Sequence, residues 1–341
     1  MAKIIRLSAE LANQIAAGEV VERPASAVKE LIENALDAGA RRISVTIELG
    51  GKRFISVEDD GEGMSSDEAI LALERHATSK LAKSSDLAAI HTLGFRGEAL
   101  PSVASVCRLK LRTCGRGQVT GTLIEVRGGV TTSVHEVGAP VGTLVEIRDL
   151  FFNMPARRKF LKSDRAESAR VSKLVTQLAL GYPEVGFSFK SSGRKVVQCS
   201  PVKTVTERFY QLYGDRPDLL EVQKKVGEIA ISGYVAALAN QRPSRGPQNI
   251  FVNRRIVKDR TVAHAIIDSY SRATIKERRP EVHLFIEVPA DRVDVNVHPM
   301  KAEVRFLDQS FVHEVLRRTL TEVLGESGPS QLDSRLMPTE L

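Results

Sequence analysis

A glutamate, an asparagine and an aspartate share one face of a predicted helix in the stretch ELIENALDAGA, residues 30–40. At about 100° per residue, Glu30, Asn34 and Asp37 fall within roughly 60° of one another, opposite an apolar face. The solvated face of an amphipathic helix explains this pattern, but asparagine is a mediocre residue in a helix interior. A glutamate one turn before an asparagine also fits a general base beside a site for a hard cation. The stretch alone leaves both interpretations open.

A second candidate is the stretch VEDDGEGM, residues 57–64, in which a predicted strand ends in a turn. Asp59 stands at the end of the strand, where a carboxylate can accept a hydrogen bond from an exocyclic amine such as that of adenine. Gly61 and Gly63 permit a close approach of the backbone to a ligand. On its own, the stretch fits a plain Asp-Gly turn.

Two further stretches contain residues that suit phosphate groups. In GFRGEAL, residues 94–100, glycines and an arginine precede a helix, whose exposed N–H groups and dipole favour anions. In RHATSK, residues 75–80, polar residues follow a helix and enter a long predicted loop. Glycines that simply precede a helix explain the first stretch equally well, and a polar entrance to a loop explains the second. The candidates here are Gly94, Phe95, Arg96, Gly97, Thr78, Ser79 and Lys80.

Positive charge is concentrated at three other places. Lys301 follows a predicted strand in VDVNVHPMK, where it can reach a phosphate as a point charge or simply lie at the surface. Two basic clusters fit sequence-independent contacts with nucleic-acid phosphates, although solvated faces balanced by Asp164 and Glu167 explain them too. The first cluster consists of Arg157, Arg158, Lys159, Lys162, Arg165 and Arg170. The second cluster consists of Arg254, Arg255, Lys258 and Arg260.

Periodic patterns predict the elements that position these residues. Period-two alternation predicts two hairpins and a run of strands, over residues 41–61, 184–200 and 108–147. Helical patterns occur at residues 24–38, 98–106 and 160–181, and after a capping box of Ser65 and Glu68. A change of character near residues 200–215 indicates a second domain. Its predicted strands are EIAISGYVAA and QNIFVNRRIV, and VHLFIEVPADRVDVNVHP is predicted to form a pair of strands. Its predicted helices are DRTVAHAIIDSYSRA and DQSFVHEVLRRTLTEVL.

Composition and the absence of several motifs limit the classes of protein to which the chain can belong. The chain has 341 residues, 42% of them hydrophobic and 27% charged, which is typical of a soluble protein with room for two domains. The sequence has no apolar run of membrane-spanning length, no secretory signal, and three cysteines without metal-ligand spacing, which together favour the cytoplasm. The net charge of +7 favours an anionic partner. Neither a P-loop motif nor a G-x-G-x-x-G motif is present.

The order of these stretches resembles the four motifs of the GHKL ATPases: E-x-x-x-N, D-x-G-x-G, T-S-K and G-F-R-G-E-A-L. Within that superfamily, the resemblance is strongest to the MutL family and runs in order from about residue 4 to residue 325. The segments that carry it are LANQIAAGEVVERPASAVKELIENALDAGA, RHATSK, LGFRGEAL, FFNMPARRKFLK and VDVNVHPMKAEVRF. Pro101, Met154 and Met300 depart from the expected pattern, and none of them is assigned a chemical role.

The resemblance implies a role for each candidate of the nucleotide site. Glu30 is then the general base that activates water for attack on the γ-phosphate, and Asn34 holds Mg²⁺. Asp59 reads the adenine amine, with Gly61 and Gly63 giving room for the base. The lid around the phosphates consists of Thr78, Ser79, Lys80 and Gly94 to Gly97, and Lys301 pairs with the γ-phosphate. Asp37 stays outside the catalytic set, as a residue that supports the site.

The implied fold class is α+β: a GHKL (Bergerat) α/β sandwich followed by a smaller α/β domain of the ribosomal-protein-fold type. The expected segments are an N-terminal arm, an ATPase domain, a transducer-like domain with the phosphate-sensing lysine, and a disordered tail or linker. Their expected bounds are residues 1–23, 24–205, 206–325 and 326–341.

The resemblance also implies a function in DNA mismatch repair. Slow, Mg²⁺-dependent ATP hydrolysis would drive dimerisation of N-terminal regions and clamping of DNA, in a bacterial cytoplasm and near the nucleoid. The implied partners are DNA, a second copy of the chain, a MutS-type mismatch-recognition protein, and a downstream nuclease and helicase, with no membrane. The sequence has no endonuclease motif such as D-Q-H-A-x-x-E-R.

Other functions stay open from the sequence. One alternative is a nucleotide-sensing, DNA-binding module without useful hydrolysis, which the presence of Glu30 disfavours. Another is a chaperone or topoisomerase of the same superfamily. A topoisomerase needs a DNA-cleaving tyrosine region, and nothing after residue 325 fits one.

Overall fold

A computed structural model describes residues 17–18, 20–80, 92–94, 97–238, 246–271, 280–294 and 304–326 of the chain. The chain divides into two units, Met1–Leu212 and Tyr213–Leu341. Each unit combines helices with a sheet of its own, which confirms the predicted α+β class. Among the described residues, no helix is both long and apolar enough to cross a membrane.

The first unit is built on one eight-stranded sheet. Its strands are β1 (Arg42–Glu48), β2 (Phe54–Asp59), β3 (Arg108–Cys114), β4 (Gly121–Arg127), β5 (Val130–Val137), β6 (Gly142–Arg148), β7 (Gly186–Ser191) and β8 (Arg194–Cys199). Their order in the sheet is β5-β4-β3-β6-β2-β1-β7-β8, and every pair is antiparallel except β1 with β7. The predicted hairpins over residues 41–61 and 184–200 are confirmed as β1–β2 and β7–β8.

The helices of the first unit are α1 (Pro24–Asp37), α2 (Ser66–Leu71), α3 (Ala99–Ser105), α4 (Pro155–Phe160), α5 (Asp164–Gly181) and α6 (Val205–Tyr213). The predicted capping box is confirmed, because Ser65 and Glu68 exchange side-chain and backbone hydrogen bonds at the start of α2. Helices α1, α3 and α5 pack on one face of the sheet. The core between them is formed by alternate strand residues such as Val45, Val57 and Leu111.

The predicted basic helix over residues 160–181 is confirmed as α5, which begins at Asp164 rather than at residue 160, whereas the short helix α4 before it was not predicted. The structure has two helices, α4 and α5, separated by residues 161–163. Leu161 adopts an extended backbone, and the Ser163 side chain accepts a hydrogen bond from the Ala166 N–H to cap α5. A serine N-cap competes well with continuation of a helix, so the chain restarts at this position.

A buried arginine joins the last elements of the first unit. Arg208 on α6 is fully buried and donates hydrogen bonds at 2.5–3.4 Å to the carbonyl oxygens of Ala179, Tyr182, Pro183, Val185 and Ser200. Burial lowers the pKa of the Arg208 guanidinium. The arginine thereby satisfies carbonyl groups at the end of α5 that no helical N–H can reach. Neither α6 nor this role of Arg208 was predicted from the sequence.

The second unit is built on a five-stranded sheet. Its strands are β9 (Leu219–Val226), β10 (Ile229–Ala236), β11 (Gln248–Val252), β12 (Arg255–Ile256) and β13 (Val282–Glu287), in the order β12-β11-β13-β10-β9. A short ladder joins β14 (Val293–Asp294) to β15 (Arg305–Phe306), and the helices are α7 (Arg260–Ser271) and α8 (Gln309–Glu326). The sheet and both helices share one apolar core.

Two strand predictions in this unit differ from the structure. The stretch QNIFVNRRIV is a hairpin of β11 and β12, because Asn253 and Arg254 both adopt positive φ angles in the turn. The stretch VHLFIEVPADRVDVNVHP is not a pair of neighbouring strands, since β13 pairs with β10 and β11 while β14 pairs with β15. Strand β9 was not predicted, because its exposed residues are charged and its alternation is weak.

Candidate active site

Helix α1 divides its residues as the sequence predicts. Its buried side includes Val28, Leu31, Ile32 and Ala35. The candidates Glu30, Asn34 and Asp37 are partly exposed on the other side. The helix ends at Asp37, with Ala38 as its C-cap, and Gly39 follows with a φ of +69°. The polar face of α1 therefore points away from the core.

Asp37 connects α1 to two loop segments. Its Oδ1 accepts a hydrogen bond from the Leu93 N–H at 2.9 Å, and its Oδ2 accepts one from the Gly94 N–H at 3.0 Å. The Lys80 ammonium lies 2.5 Å from Asp37 Oδ2 and 3.0 Å from Asn34 Oδ1. The Asp37 side chain is only 8% exposed. Although the sequence places Asp37 outside the catalytic set, this carboxylate is the group that ties the helix to both loop segments.

We refer to Asn34, Asp37, Lys80, Leu93 and Gly94 as the α1–lid junction. A Cβ atom added to Gly94 would lie 3.0 Å from Lys80 Nζ and 3.6 Å from both Asn34 Oδ1 and Asp37 Oδ2. A side chain at residue 94 would therefore crowd the lysine and the two oxygens. Glycine lets the loop backbone approach the polar face of α1.

Asp59, the last residue of β2, and Asp60, which follows it, have different surroundings. Asp60 Oδ1 accepts hydrogen bonds from the Arg41 and Arg42 N–H groups at 2.7 Å, so Asp60 anchors the start of β1. Asp59 Oδ1 accepts a hydrogen bond from the Gly61 N–H at 2.9 Å. Burial raises the pKa of Asp59 to about 6, although hydrogen bonds from backbone groups oppose the shift. A carboxyl group with a raised pKa at the end of a strand fits a ligand-binding position.

The glycines after Asp59 are required by the fold itself. Gly63 has a φ of +67°, and a Cβ there would lie 1.9 Å from the Cys114 carbonyl oxygen. A Cβ at Gly61 would lie 2.8 Å from the Ala38 carbonyl oxygen and 2.9 Å from Asp59 Oδ1. The turn therefore packs against the end of α1, which places Asp59 beside the helix that bears Glu30 and Asn34. A role of both glycines in making room for a base stays a prediction.

The other lid candidates are partly described. Thr78 and Ser79 are exposed, and Thr78 Oγ1 accepts a hydrogen bond from the Lys80 N–H at 3.2 Å. Gly97 has a φ of +64°, and a Cβ there would lie 2.4 Å from the Ala77 carbonyl oxygen. The segment before Lys80 is thus in contact with the segment that precedes α3. Phe95, Arg96 and Lys301 lie outside the described residues.

The first basic cluster is mostly at the surface of the first unit. Arg158, Lys159, Lys162, Arg165 and Arg170 are at least partly exposed. Arg157 is an exception, because its guanidinium donates to the Val21 carbonyl oxygen at 3.2 Å and lies over the Phe151 ring.

The acidic residues near this cluster have partners elsewhere. Asp164 Oδ1 lies 2.7 Å from Lys52 Nζ. Glu167 is buried, and its Oε1 lies 3.7 Å from Arg23 Nη1. These pairs weaken the interpretation in which the two carboxylates balance the cluster.

The second basic cluster lies on the second unit. Arg254, Lys258 and Arg260 are exposed, whereas Arg255 is only 8% exposed. Arg255 is thus the weakest candidate for a contact with DNA in this cluster.

Comparison with known proteins identifies both units. Residues 22–132 match the family described as histidine kinase-, DNA gyrase B-, and HSP90-like ATPase, and residues 210–325 match the family described as DNA mismatch repair protein, C-terminal domain. The DNA mismatch repair protein MutL of Trichlorobacter lovleyi is 49% identical over 321 residues, with 94% of this chain and 54% of that protein covered. A solved variant of the Aquifex aeolicus MutL ATPase domain is 30% identical, has a TM-score of 0.64, and is covered over 99% of its length and 88% of this chain. The chain belongs to the MutL family of DNA mismatch repair proteins.

The MutL ATPase domain of Aquifex aeolicus has also been solved in complex with ADP. That structure is 28% identical to this chain with a TM-score of 0.65, and the match covers 91% of this chain and all of that one. These matches confirm the predicted GHKL fold and the predicted MutL family. The chain spans about half the length of the curated MutL relatives it matches.

Proposed function

We propose that this chain binds ATP with Mg²⁺ at the polar face of α1 and hydrolyses it slowly. The observation that carries the proposal is the α1–lid junction, in which Asp37 and Lys80 hold two loop segments against the helix that bears Glu30 and Asn34. The ADP complex of the Aquifex aeolicus relative supports a nucleotide as the ligand of this fold.

Each residue has one role in the proposed reaction. Glu30 accepts a proton from the attacking water, which is general base catalysis. Asp59 accepts a hydrogen bond from the adenine amine, beside Gly61 and Gly63. Lys80 and the N–H groups of residues 94 to 97 neutralise phosphate charge, together with Thr78 and Ser79. Lys301 pairs with the γ-phosphate. Phosphoryl transfer depends mostly on such positioning and charge neutralisation.

The residues at the site fit Mg²⁺. Among the described residues there is no group of three or more histidine, cysteine or carboxylate side chains that could hold a metal. Mg²⁺ does not need one, because it keeps several waters and binds through few protein oxygens and the phosphates of a nucleotide. Asn34 Oδ1 is an oxygen of this kind, and it accepts a hydrogen bond from the Lys80 ammonium at 3.0 Å. Bound Mg²⁺ would take the place of the ammonium at this oxygen, and Lys80 would then face the phosphates. When bound, Mg²⁺ would neutralise charge on the phosphate oxygens.

The proposal extends to the partners of the intact protein. ATP favours a dimer of N-terminal regions that clamps DNA, and hydrolysis reopens it, by a shift between two populations. The exposed basic residues of both clusters contact DNA phosphates without sequence preference. In the cell, the protein couples a MutS-type mismatch-recognition protein to a downstream nuclease and helicase, in the cytoplasm and near the nucleoid.

Steady-state ATP hydrolysis at several protein concentrations tests the proposal. Specific activity is expected to rise with protein concentration and to require Mg²⁺. Asp59→Asn should weaken ATP binding, whereas the matched change Asp67→Asn at the exposed start of α2 should leave it unchanged. If the chain binds ATP but specific activity stays flat with concentration, dimerisation is not part of the cycle. If it binds ATP and never hydrolyses it, the alternative of a nucleotide-sensing module is correct.

A further inference from the structure

The open face of the eight-stranded sheet carries three arginines in one cross-strand row. Arg108 on β3 is directly opposite Arg127 on β4 and directly opposite Arg148 on β6. Their neighbours Leu109, Val126 and Ile147 are buried, so all three arginines project from the face that α1, α3 and α5 do not cover. All three arginines are exposed.

This arrangement costs stability unless something negative lies over it. Like charges directly opposite one another on neighbouring strands are destabilising. Neighbouring strands are about 4.8 Å apart, so the three Cα atoms span only about 10 Å. Asp149 lies 3.1 Å from Arg108 and offsets one of the three charges. On the same face, Glu125 and Glu146 are opposite Lys110 rather than the arginines, so the outer two arginines have no carboxylate directly opposite them.

Aromatic rings hold two of the guanidinium groups. The Arg148 guanidinium carbon lies 4.7 Å from the centre of the Phe54 ring, and that of Arg108 lies 5.5 Å from the centre of the Phe152 ring. Stacking on a ring restricts the long arginine side chain and leaves its N–H donors at the surface. Planar guanidinium groups held in this way suit phosphate, because they can donate two parallel hydrogen bonds.

One end of the row lies near the segment that leads into the first basic cluster. Phe152 and Asn153 lie within 3.5 Å of the position that a Cβ on Gly128 would take, directly after Arg127. Helix α4 begins two residues after Asn153 and bears Arg158 and Lys159. The Arg127 end of β4 thus lies beside the segment that leads into the basic helix.

That end of the sheet is remote from the candidate nucleotide site. Asp59 is paired with Thr143 at the start of β6, whereas Arg148 is at its end. Five residues of extended strand separate those positions, or about 17 Å. A ligand at the arginines does not compete with a nucleotide at Asp59.

We propose that Arg108, Arg127 and Arg148, which we name the arginine row, form a contact surface for the phosphate backbone of double-stranded DNA. The proposal rests on the DNA-binding part of the proposed function and adds a surface to it. Duplex DNA carries one negative charge per about 1.7 Å of its axis, and a short row of fixed cations matches such a density. Backbone phosphates look alike at every base pair, so this contact carries no sequence preference.

The test is the salt dependence of binding to a duplex of random sequence. The double variant Arg127→Gln and Arg148→Gln removes the outer two charges and leaves the Arg108–Asp149 pair intact. Removal of each phosphate contact should reduce the slope of log affinity against log salt by about 0.9, so the variant should lose about 1.8 from the slope. The matched control is Arg194→Gln with Lys195→Gln, two exposed cations on β8 at the other edge of the sheet. Its slope should equal that of the unmodified chain.

A stability measurement separates a binding role from a structural one. Removal of adjacent like charges relieves repulsion, while loss of the Arg148–Phe54 stacking costs a comparable amount of stability, so the double variant should unfold at nearly the same urea concentration as the unmodified chain. An unchanged slope for the double variant, beside a salt-dependent unmodified chain, overturns the arginine row. Absence of any salt-dependent binding by the unmodified chain instead removes DNA from the proposed function. If poly-glutamate competes as well as DNA at equal charge, the row binds acidic protein and the DNA assignment is wrong.

Discussion

The carboxylate of Asp37 should keep the Leu93–Gly94 segment of the loop in place against α1. Asp37→Asn keeps the size of the side chain but replaces one oxygen by an NH₂ group. In the structure, the two oxygens accept hydrogen bonds from the Leu93 and Gly94 N–H groups, and one also faces the Lys80 ammonium. The asparagine can turn its one oxygen to the Gly94 amide and the ammonium, which leaves its NH₂ group facing the Leu93 N–H group.

The expected magnitude follows from the hydrogen bonds that the asparagine cannot make. A hydrogen bond to a charged group contributes about 1.5–3 kcal/mol, and a buried donor left without an acceptor costs about as much. The Asp37 side chain is 8% exposed and that of Lys80 is 19% exposed, so water can replace only part of the interaction. We therefore expect the loop to open more easily by about 2 kcal/mol, which corresponds to about thirtyfold faster amide exchange.

Hydrogen exchange measured by NMR on the whole chain is the assay. One of the Leu93 and Gly94 amides should exchange about thirtyfold faster in Asp37→Asn, while amides of β1 and β2 stay unchanged. Asp67→Asn, an exposed carboxylate in the first turn of α2, is the matched control and should change neither amide. Exchange of both loop amides at the original rate in Asp37→Asn would refute this role of the carboxylate.

Three further predictions concern stability. Asp59→Asn should raise the free energy of unfolding of the first unit at pH 8 by up to about 3 kcal/mol, because burial raises the pKa of Asp59 to about 6 and an ionised carboxylate there is destabilising. That gain should shrink as the pH falls from about 6 to 4, where the carboxyl group is protonated in the folded chain; urea titrations at both ends of the range check it. Arg208→Met should lower the urea midpoint, with a loss of at least about 3 kcal/mol, since the carbonyl oxygens that it satisfies would lose their donor; an unchanged midpoint would contradict this. Gly63→Ala should lower the melting temperature markedly, because its Cβ would lie 1.9 Å from the Cys114 carbonyl oxygen. The control Gly117→Ala has a similar positive φ and nothing within 4 Å of the added Cβ, so it should cost only backbone strain. Equal decreases in melting temperature would show that the steric explanation is wrong.

The elements of the first unit were largely predictable from the sequence. Helix α1 and the β1–β2 hairpin have strong periodic patterns and clear end signals, and their bounds agree with the prediction to within a few residues. The start of α5 was placed four residues too early and α4 was not predicted, because the basic residues on both sides of the break at residues 161–163 continue a helical pattern. A single serine cap decides that break, and a cap is visible only once its hydrogen bond is known.

The sequence predicted which residues form the candidate site, but not which of them contact one another. The sequence singled out Asn34 and Lys80 because their types suit a cation and a phosphate. It did not show that Lys80, far along the chain, lies beside α1, nor that Asp37 accepts two loop amides. One sequence signal for a role of Asp37 was available, since Asp37 shares the polar face of α1 with Asn34.

The arginine row illustrates a different limit. Arg108, Arg127 and Arg148 are far apart in sequence, and each looks like an ordinary exposed strand residue. Only the pairing register of β3 with β4 and β6 reveals that they are neighbours. A register cannot be read from composition, because it depends on which strands meet.

The proposed ATPase depends above all on Glu30 as its general base, and a comparison of three proteins tests that role. ATP binding and single-turnover hydrolysis are measured for the unmodified chain, for Glu30→Ala, and for Glu136→Ala on the exposed strand β5 as the control. We expect all three to bind ATP with similar affinity, and only Glu30→Ala to fail to hydrolyse it. Hydrolysis at the original rate by Glu30→Ala would contradict the assignment and leave the polar face of α1 without a base.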